Sequence, residues 1–265
     1  MAELTRGRGE DAAEPDLWER LRRFTPARIG LGRVGGSLPT RAQLEFELAH
    51  ARARDAVHTR FDTAALADEL RGAGFDEPVM VRSQVRDRME YLLRPDLGRL
   101  LDQSSRVLLS GPVTRPGDLA IVVADGLSAI APARHAAPLL REIRANLEGG
   151  AHKATIVVAT FARVALGDEI GERLGARAVA VLIGERPGLS APDSLGIYLT
   201  WAPRVGRSDA ERNCISNIRP EGLGYAKAAS RLLYLLDRAG RLGLSGVALK
   251  DDSEGAPPAL GRKRR

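Results

Sequence analysis

Residues Arg177 to Ser190 read RAVAVLIGERPGLS. Ala178 to Ile183 is wholly apolar, with Val179, Val181 and Ile183 alternating along it. A run without polar interruption predicts a strand buried on both faces, the habit of a parallel sheet under helices. Gly184-Glu185-Arg186-Pro187-Gly188 then forbids a helix and predicts an open loop. In a doubly wound sheet ligands bind outside the carboxyl ends of the strands, so Glu185 and Arg186 fall on the expected ligand edge. They read either as a solvated ion pair or as polar ligand contacts.

The flanking sequence repeats the pattern. Leu119 to Ala124 (LAIVVA) is a second buried-type strand, followed by Asp125-Gly126-Leu127-Ser128. Pro132 and Pro138 open a helix with Leu139, Leu140, Ile143 and Leu147 on one face, stopped by Gly149-Gly150. Thr155 to Ala159 predicts another strand, and Asp168 to Gly175 a short helix with Ile170 and Leu174 inward. Ile197 to Trp201 predicts a further strand, Tyr225 to Ala239 a strong helix, and Val247 to Leu249 a last strand. Alternating strands and helices joined by short loops predict a parallel, doubly wound α/β sheet over residues 111–250.

Residues 17–110 read as a mainly helical region. Leu17, Leu21 and Phe24 predict a short amphipathic helix closed by Pro26. Thr40 and Gln43 make a capping-box pair, opening a helix with Leu44, Leu48, Ala51 and Ala56 on one side. His50 and His58 on that helix lack a carboxylate to complete a metal set and read as surface or interface residues. Thr63 to Arg71 predicts a helix ended by Gly72, Val79 to Val85 a strand, and Pro95-Asp96 the start of a helix bearing Leu97, Leu100, Leu101 and Leu108. Gly30 to Gly35 spells G-x-G-x-x-G, the loop that a dinucleotide-binding oxidoreductase would use. That reading requires a strand before and a helix directly after. Only Ala27 to Ile29 precede and Gly36-Ser37-Leu38-Pro39 follow, so a glycine-rich turn or partner-contact loop fits better.

With hydrophobic residues at 44% and charged residues at 28%, the 265 residues are enough for a sizeable core. No apolar run approaches the roughly 20 residues of a membrane helix. Residues 1–16 are charged, read as disordered and lack a signal-peptide core, so a cytoplasmic location is expected. The single cysteine, Cys214, excludes an internal disulfide framework and a metal cluster held by several thiolates of this chain. The net charge of +6 owes much to Arg262–Arg265 in the tail 251–265, and aromatics are only 4%, too few for a base-stacking platform. Nucleic acid is therefore not an expected partner.

The candidate edge loops are Asp125–Ser128, Thr160–Val164, Gly184–Pro192 and the long Pro203–Gly224 segment, which contains Asn213-Cys214-Ile215-Ser216-Asn217. Asp125 reads as a turn or helix cap, or as a ligand contact. No G-x-S-x-G elbow, Walker loop or H-E-x-x-H occurs. No histidine lies near Cys214 in sequence, so it reads as a packing or ligand-wall residue rather than a nucleophile. These residues describe a binding edge without a catalytic or metal set.

Five blocks carry a resemblance: GRVGGSLPTRAQLEFELAHARARDAVH (Gly32 to His58), YLLRPDLGR (Tyr91 to Arg99), VVADGLS (Val122 to Ser128), GERPGL (Gly184 to Leu189) and ERNCISNIRPEGL (Glu211 to Leu223). In this order they resemble the small, or light, subunit of ethanolamine ammonia-lyase. The resemblance implies a carbon–nitrogen lyase that uses adenosylcobalamin to convert ethanolamine to acetaldehyde and ammonia. It implies a hetero-oligomer of paired subunits, in which a barrel-type large subunit holds substrate and a Rossmann-like small subunit grips the corrinoid. This chain is then inactive alone. The family's cofactor contacts match Val164 in ARVALGDEIG, Glu185 in GERPG and Cys214 in NCISN. D-x-H-x-x-G does not occur, so no metal ligand is expected from this chain. Packaging in a bacterial microcompartment is the alternative location that the resemblance brings. Some relatives carry a longer N-terminal extension linked to it.

Overall fold

The computed structural model describes residues 17–110, 118–147 and 154–253. The expected disordered segment 1–16, the stop at Gly149-Gly150 and the basic tail beyond residue 253 lie outside the described residues. The chain falls into two compact units, Met1–Ala51 and Arg52–Arg265.

In the first unit, α1 (Leu17–Arg22) precedes the glycine-rich stretch. Gly30, Gly32 and Gly35 adopt positive φ, and Val34 and Ser37 bond each other's backbone in a tight antiparallel turn. A Cβ on Gly30 would lie 2.3 Å from the Trp18 ring, so close packing demands glycine there. No strand leads into this loop, and the dinucleotide geometry is not formed. Helix α2 (Thr40–His58) begins here and runs past the division between the units. Thr40 is already helical, and the Gln43 side chain donates to Glu47 (3.0 Å), so the expected capping box is not made. Leu44 and Leu48 are exposed, together with Phe46, Trp18 and Phe24. The apolar face read from the sequence is therefore not covered within this unit.

The second unit is built on a six-stranded sheet. In chain order its elements are α3 (Thr63–Gly72), β1 (Val79–Arg82), α4 (Arg88–Leu93), α5 (Gln103–Leu109), β2 (Leu119–Ala124), α6 (Ile130–Asn146), β3 (Ala154–Thr160), α7 (Leu166–Arg173), β4 (Ala178–Gly184), β5 (Leu195–Trp201), β6 (Arg212–Ile218) and α8 (Tyr225–Leu242). Every residue of β2 and β4 is buried, as their uninterrupted apolar sequences require. The strand order is β1-β3-β2-β4-β5-β6. β1 to β4 pair in parallel, whereas β5 and β6 are antiparallel to their neighbours. The α/β class holds, but the sheet is mixed. The physical reason is loop length. Between β4 and β5 lie only residues 185–194, without a helix, whereas a parallel crossover needs a dozen residues or more.

Opposite residues of β2 feed two cores. Leu119, Ile121 and Val123 pack with α6 and α8, while Ala120, Val122 and Ala124 pack with α7. The chain leaves β2 for β3 on one side, then crosses back to β4 on the other. That reversal opens a crevice between the carboxyl ends of β2 and β4.

Several boundaries differ from the sequence reading. Pro138 lies inside α6, which starts at Ile130. The left-handed glycine that ends α3 is Gly74, where the Phe75 N–H reaches back to Leu70 O, rather than Gly72. The helix expected from Pro95 is a single 3-10 turn, Leu97–Arg99, followed by the separate α5 capped by Asp102. Val247–Leu249 is not a strand; the Gly246–Leu249 segment turns back on itself beneath Asn213, whose side chain donates to Gly246 O and Leu249 O. Within the expected loop Pro203–Gly224, a 3-10 turn, Asp209–Glu211, leads directly into β6. No described helix is long and apolar enough to cross a membrane.

Candidate functional site

A cleft of about 480 Å³ opens at the carboxyl ends of β2, β3 and β4. The segment after β2 contributes Gly126 and Leu127, that after β3 Arg163 and Val164, and the end of β4 with the residues after it Ile183 to Arg186. Tyr91 from α4 and Tyr198 from β5 complete the lining.

Two glycines make the strand ends meet closely. A Cβ on Gly184 would lie 2.0 Å from Ser128 O and 2.5 Å from Asp125 O, and one on Gly126 would lie 2.2 Å from Gly184 O. Gly126 also has φ +57°, a left-handed conformation that glycine adopts without cost. The Leu127 N–H donates to Gly184 O (3.0 Å), fastening the β2 exit to the β4 exit.

Asp125, only 3% exposed, caps no helix: α6 and α7 begin after Ala129 and Ala165 without a side-chain cap, and the carboxylate instead ties two strand exits together. Its Oδ1 accepts from Gly126 N (3.0 Å) and Ala162 N (3.0 Å), and its Oδ2 from Phe161 N (2.9 Å). Phe161 is held at φ +54°, which an aromatic side chain rarely adopts. Arg88 of α4 stands 3.8 Å from Asp125 Oδ2 and donates to Gly126 O (2.8 Å) and Leu127 O (3.1 Å). Burial pushes the Asp125 pKa up to about 6, against the pull of these donors and of Arg88. The guanidiniums of Arg163 and Arg88 stand over the Tyr91 ring, 4.1 and 4.6 Å from its centre, and the Tyr91 hydroxyl donates to Ala162 O (3.0 Å).

Glu185 is set by three contacts. Its N–H donates to Ser194 O (3.0 Å), and its carboxylate accepts from the Ser194 hydroxyl and from Asn217 N (3.2 Å). Gly196 leaves room for it, since a Cβ there would stand 2.8 Å from Glu185 Oε1. The loop beyond Glu185 is anchored as well. Pro192 O accepts from Ser128 Oγ (2.8 Å), and Asp193 pairs with Arg134 (3.0 Å).

Cys214 sits in β6, directly opposite Tyr198 of β5. It is part of the sheet rather than of a loop after the fourth strand. The Tyr198 side chain acts on the thiol from the facing strand. Although Cys214 is exposed, partial desolvation of its sulfur raises the thiol pKa, with Tyr198 acting the other way, so the thiol stays protonated at neutral pH. β6 is held down by Arg212, whose guanidinium forms two bonds to Asp168 of α7 (2.6 and 2.7 Å) and donates to Thr200 Oγ1 (3.0 Å).

The structure therefore brings Val164 and Glu185 into one cleft. Cys214 borders it through Tyr198 without lining it. Among the described residues, no three His, Cys, Asp or Glu side chains are grouped to hold a metal ion. Tyr91, Arg163 and Tyr198 were not singled out in the sequence. Arg163 had one available signal, its position beside Val164; the tyrosines had none before the pairing of β5 with β6 was known. Chemically, the cleft offers apolar walls, a preset carboxylate and guanidinium donors, and is suited to binding.

Residues 15–250 match the family model of the ethanolamine ammonia-lyase light chain (EutC). The chain is 58% identical over 241 residues to the ethanolamine ammonia-lyase small subunit of Ralstonia nicotianae, covering 89% of each chain. It is 58% identical over 246 residues to that of Azotobacter vinelandii, covering 91% of each. It is 55% identical over 250 residues to that of Pseudomonas syringae pv. tomato, covering 92% of this chain and 86% of the relative. Matches over about nine-tenths of the chain, rather than one shared motif, make it a member of the ethanolamine ammonia-lyase small-subunit family.

Proposed function

We propose that this chain is the small subunit of a two-chain ethanolamine ammonia-lyase, and that its strand-end cleft grips one side of adenosylcobalamin at the interface with a catalytic large subunit. The observation that carries the reading is the convergence of Val164 and Glu185 on the reversal point of the sheet, with Cys214 one side chain away. A corrinoid carries amide side chains around an apolar ring. Val164 and Ile183 would meet the ring edge, Glu185 would accept from an amide or a ribose hydroxyl, and Arg163 and Arg186 would donate. The parallel half of the sheet serves as a Rossmann-like platform for this group.

When bound, adenosylcobalamin supplies a cobalt–carbon bond that breaks homolytically. This chain's residues bind and orient it, and the closely packed glycine exits exclude water from that side. The large subunit supplies the substrate pocket, and this chain is inactive alone. The working assembly pairs large and small subunits in the cytoplasm. A bacterial microcompartment is the alternative location.

The test is an adenosylcobalamin titration followed by visible absorption, on this chain alone and mixed with its large partner, with ammonia release from ethanolamine measured in parallel. Tight binding and turnover in the mixture only is the expected result. Tight binding to the isolated chain would remove the shared interface from the proposal. Absence of binding in both would overturn the cobalamin reading.

A further inference from the structure

Asp125 does not line the cleft, yet it bonds two of its walls. Its three N–H donors belong to the β2 exit (Gly126) and the β3 exit (Phe161 and Ala162). Arg163 and Val164, which do line the cleft, follow immediately. Arg88 reinforces the arrangement by holding the carbonyls of Gly126 and Leu127 while facing the carboxylate. All the polar neighbours of the carboxylate are donors, so only an acceptor at this place satisfies them. Phe161 at φ +54° is a backbone state that needs such external restraint.

We propose that Asp125 is a positioning residue of the cofactor cleft, its carboxylate fixing the Phe161–Val164 turn against the Gly126–Leu127 wall. The inference rests on the cobalamin reading for the identity of the ligand, but not for the tether itself. Protonation replaces one acceptor lone pair with an O–H that faces only donors, so the tether is intact above the Asp125 pKa, pushed by burial to about 6, and slackens below it. The charged and titratable groups facing Asp125 are Arg88 and Tyr91 on α4, with Arg163 beyond, over the Tyr91 ring; β4 brings only the glycine end, Gly184. Burial lowers the Arg88 pKa and raises that of Tyr91, but neither titrates between pH 5 and 8. Asp125 is thus the group of this cluster that changes charge in that range.

The experiment compares the wild-type chain with Asp125→Asn in two measurements. Amide hydrogen exchange of the free chain at pH 8 reads the tether without ligand, and adenosylcobalamin affinity of the two-chain complex between pH 5 and 8 reads its consequence. Faster exchange at Phe161 and Ala162 in the variant is expected, with unchanged exchange in β2 and β4. Affinity at pH 8 is expected to fall about tenfold, the scale of one lost bond to a charged group. Wild-type affinity should weaken as pH falls below about 6, and the variant's profile should be flat across that range. Unchanged exchange at the two amides overturns the tether. Faster exchange with wild-type affinity overturns the positioning role. A wild-type complex that binds no cobalamin overturns the ligand assignment and this role with it, and is told apart by the exchange contrast, which persists. Should Asp125→Asn not fold, the wild-type profile decides: affinity constant between pH 5 and 7 overturns the proposal.

Discussion

The Arg212–Asp168 pair offers the sharpest test of how β6 is held. Both side chains are 2% exposed, and their two bonds of 2.6 and 2.7 Å join β6 to α7. Asp168→Ala would strand a guanidinium in the interior, which typically costs about 3–5 kcal/mol. Arg212 would keep Thr200 Oγ1 at 3.0 Å, Arg207 O at 2.9 Å and the exposed Asp209 at 3.3 Å, so the loss should lie at the lower end, about 3 kcal/mol. For a chain of this size that corresponds to a fall in Tm of roughly 6–12 °C. The double variant Asp168→Leu/Arg212→Met removes both charges and should recover most of the loss, because a buried pair gives back little more than its own desolvation. Thermal unfolding followed by circular dichroism measures all three proteins. A single variant within about 1 kcal/mol of wild type, or a double variant no better than the single, refutes the argument that a stranded charge sets the cost.

Four further outcomes are expected. Glu185→Ala should weaken adenosylcobalamin affinity of the assembled enzyme by about 1–3 kcal/mol, the scale of one charged hydrogen bond, and an unchanged titration removes Glu185 from the site. Gly184→Ala forces a Cβ to within 2.0 Å of Ser128 O; the denaturation midpoint should report a loss of about 3 kcal/mol or more, and a near-neutral result would mean the strand ends can separate. Tyr198→Phe removes the hydroxyl that opposes the desolvation-driven rise of the Cys214 pKa, so the pH–rate profile of iodoacetamide alkylation should move to higher pH; an unmoved profile refutes the influence of Tyr198 on the thiol. For Asp125, the folded pKa of about 6 lies above the unfolded value of about 3.9, so the native state binds the extra proton between them. Stability from this group therefore falls as pH rises through that window, by about 3 kcal/mol in all, and Asp125→Asn should abolish that part of the pH dependence in denaturant titrations. The desolvation of the carboxylate dominates this balance, whereas the placement of Phe161 and Ala162 depends on its hydrogen bonds.

What the sequence made legible follows from how each element is buried. β2 and β4 are apolar at every position, so their identity and their ligand edge could be read directly, and Glu185 with them. β6 could not: Asn213, Ser216 and Asn217 give it the composition of a loop, and its strand character comes from pairing with β5 and from a buried arginine whose partner lies 44 residues away. The antiparallel direction of β5 is encoded in the short, helix-free loop before it, residues 185–194, against the strand–helix alternation of β2 to β4. α4 is one six-residue turn of helix whose only local signal is Asp87, which accepts from Glu90 N (2.9 Å). The cleft's tyrosines come from positions 91 and 198, and nothing in either neighbourhood announces that they share a wall. Leu44 and Leu48 lie on one helix as their spacing requires, yet they stand exposed, because periodicity marks an apolar face without saying what covers it.

The place of β1 in the sheet sets an order of events during synthesis. Val79 pairs with Val157, 78 residues later, and β3 is the neighbour to which β1 is joined. At a ribosomal speed of about 5–20 residues per second, Val79–Arg82 waits roughly 4–16 s for its partner strand to be made. During that interval an apolar strand edge has no native mate, so slowing elongation between β1 and β3 lengthens the period in which the nascent chain is open to misassembly.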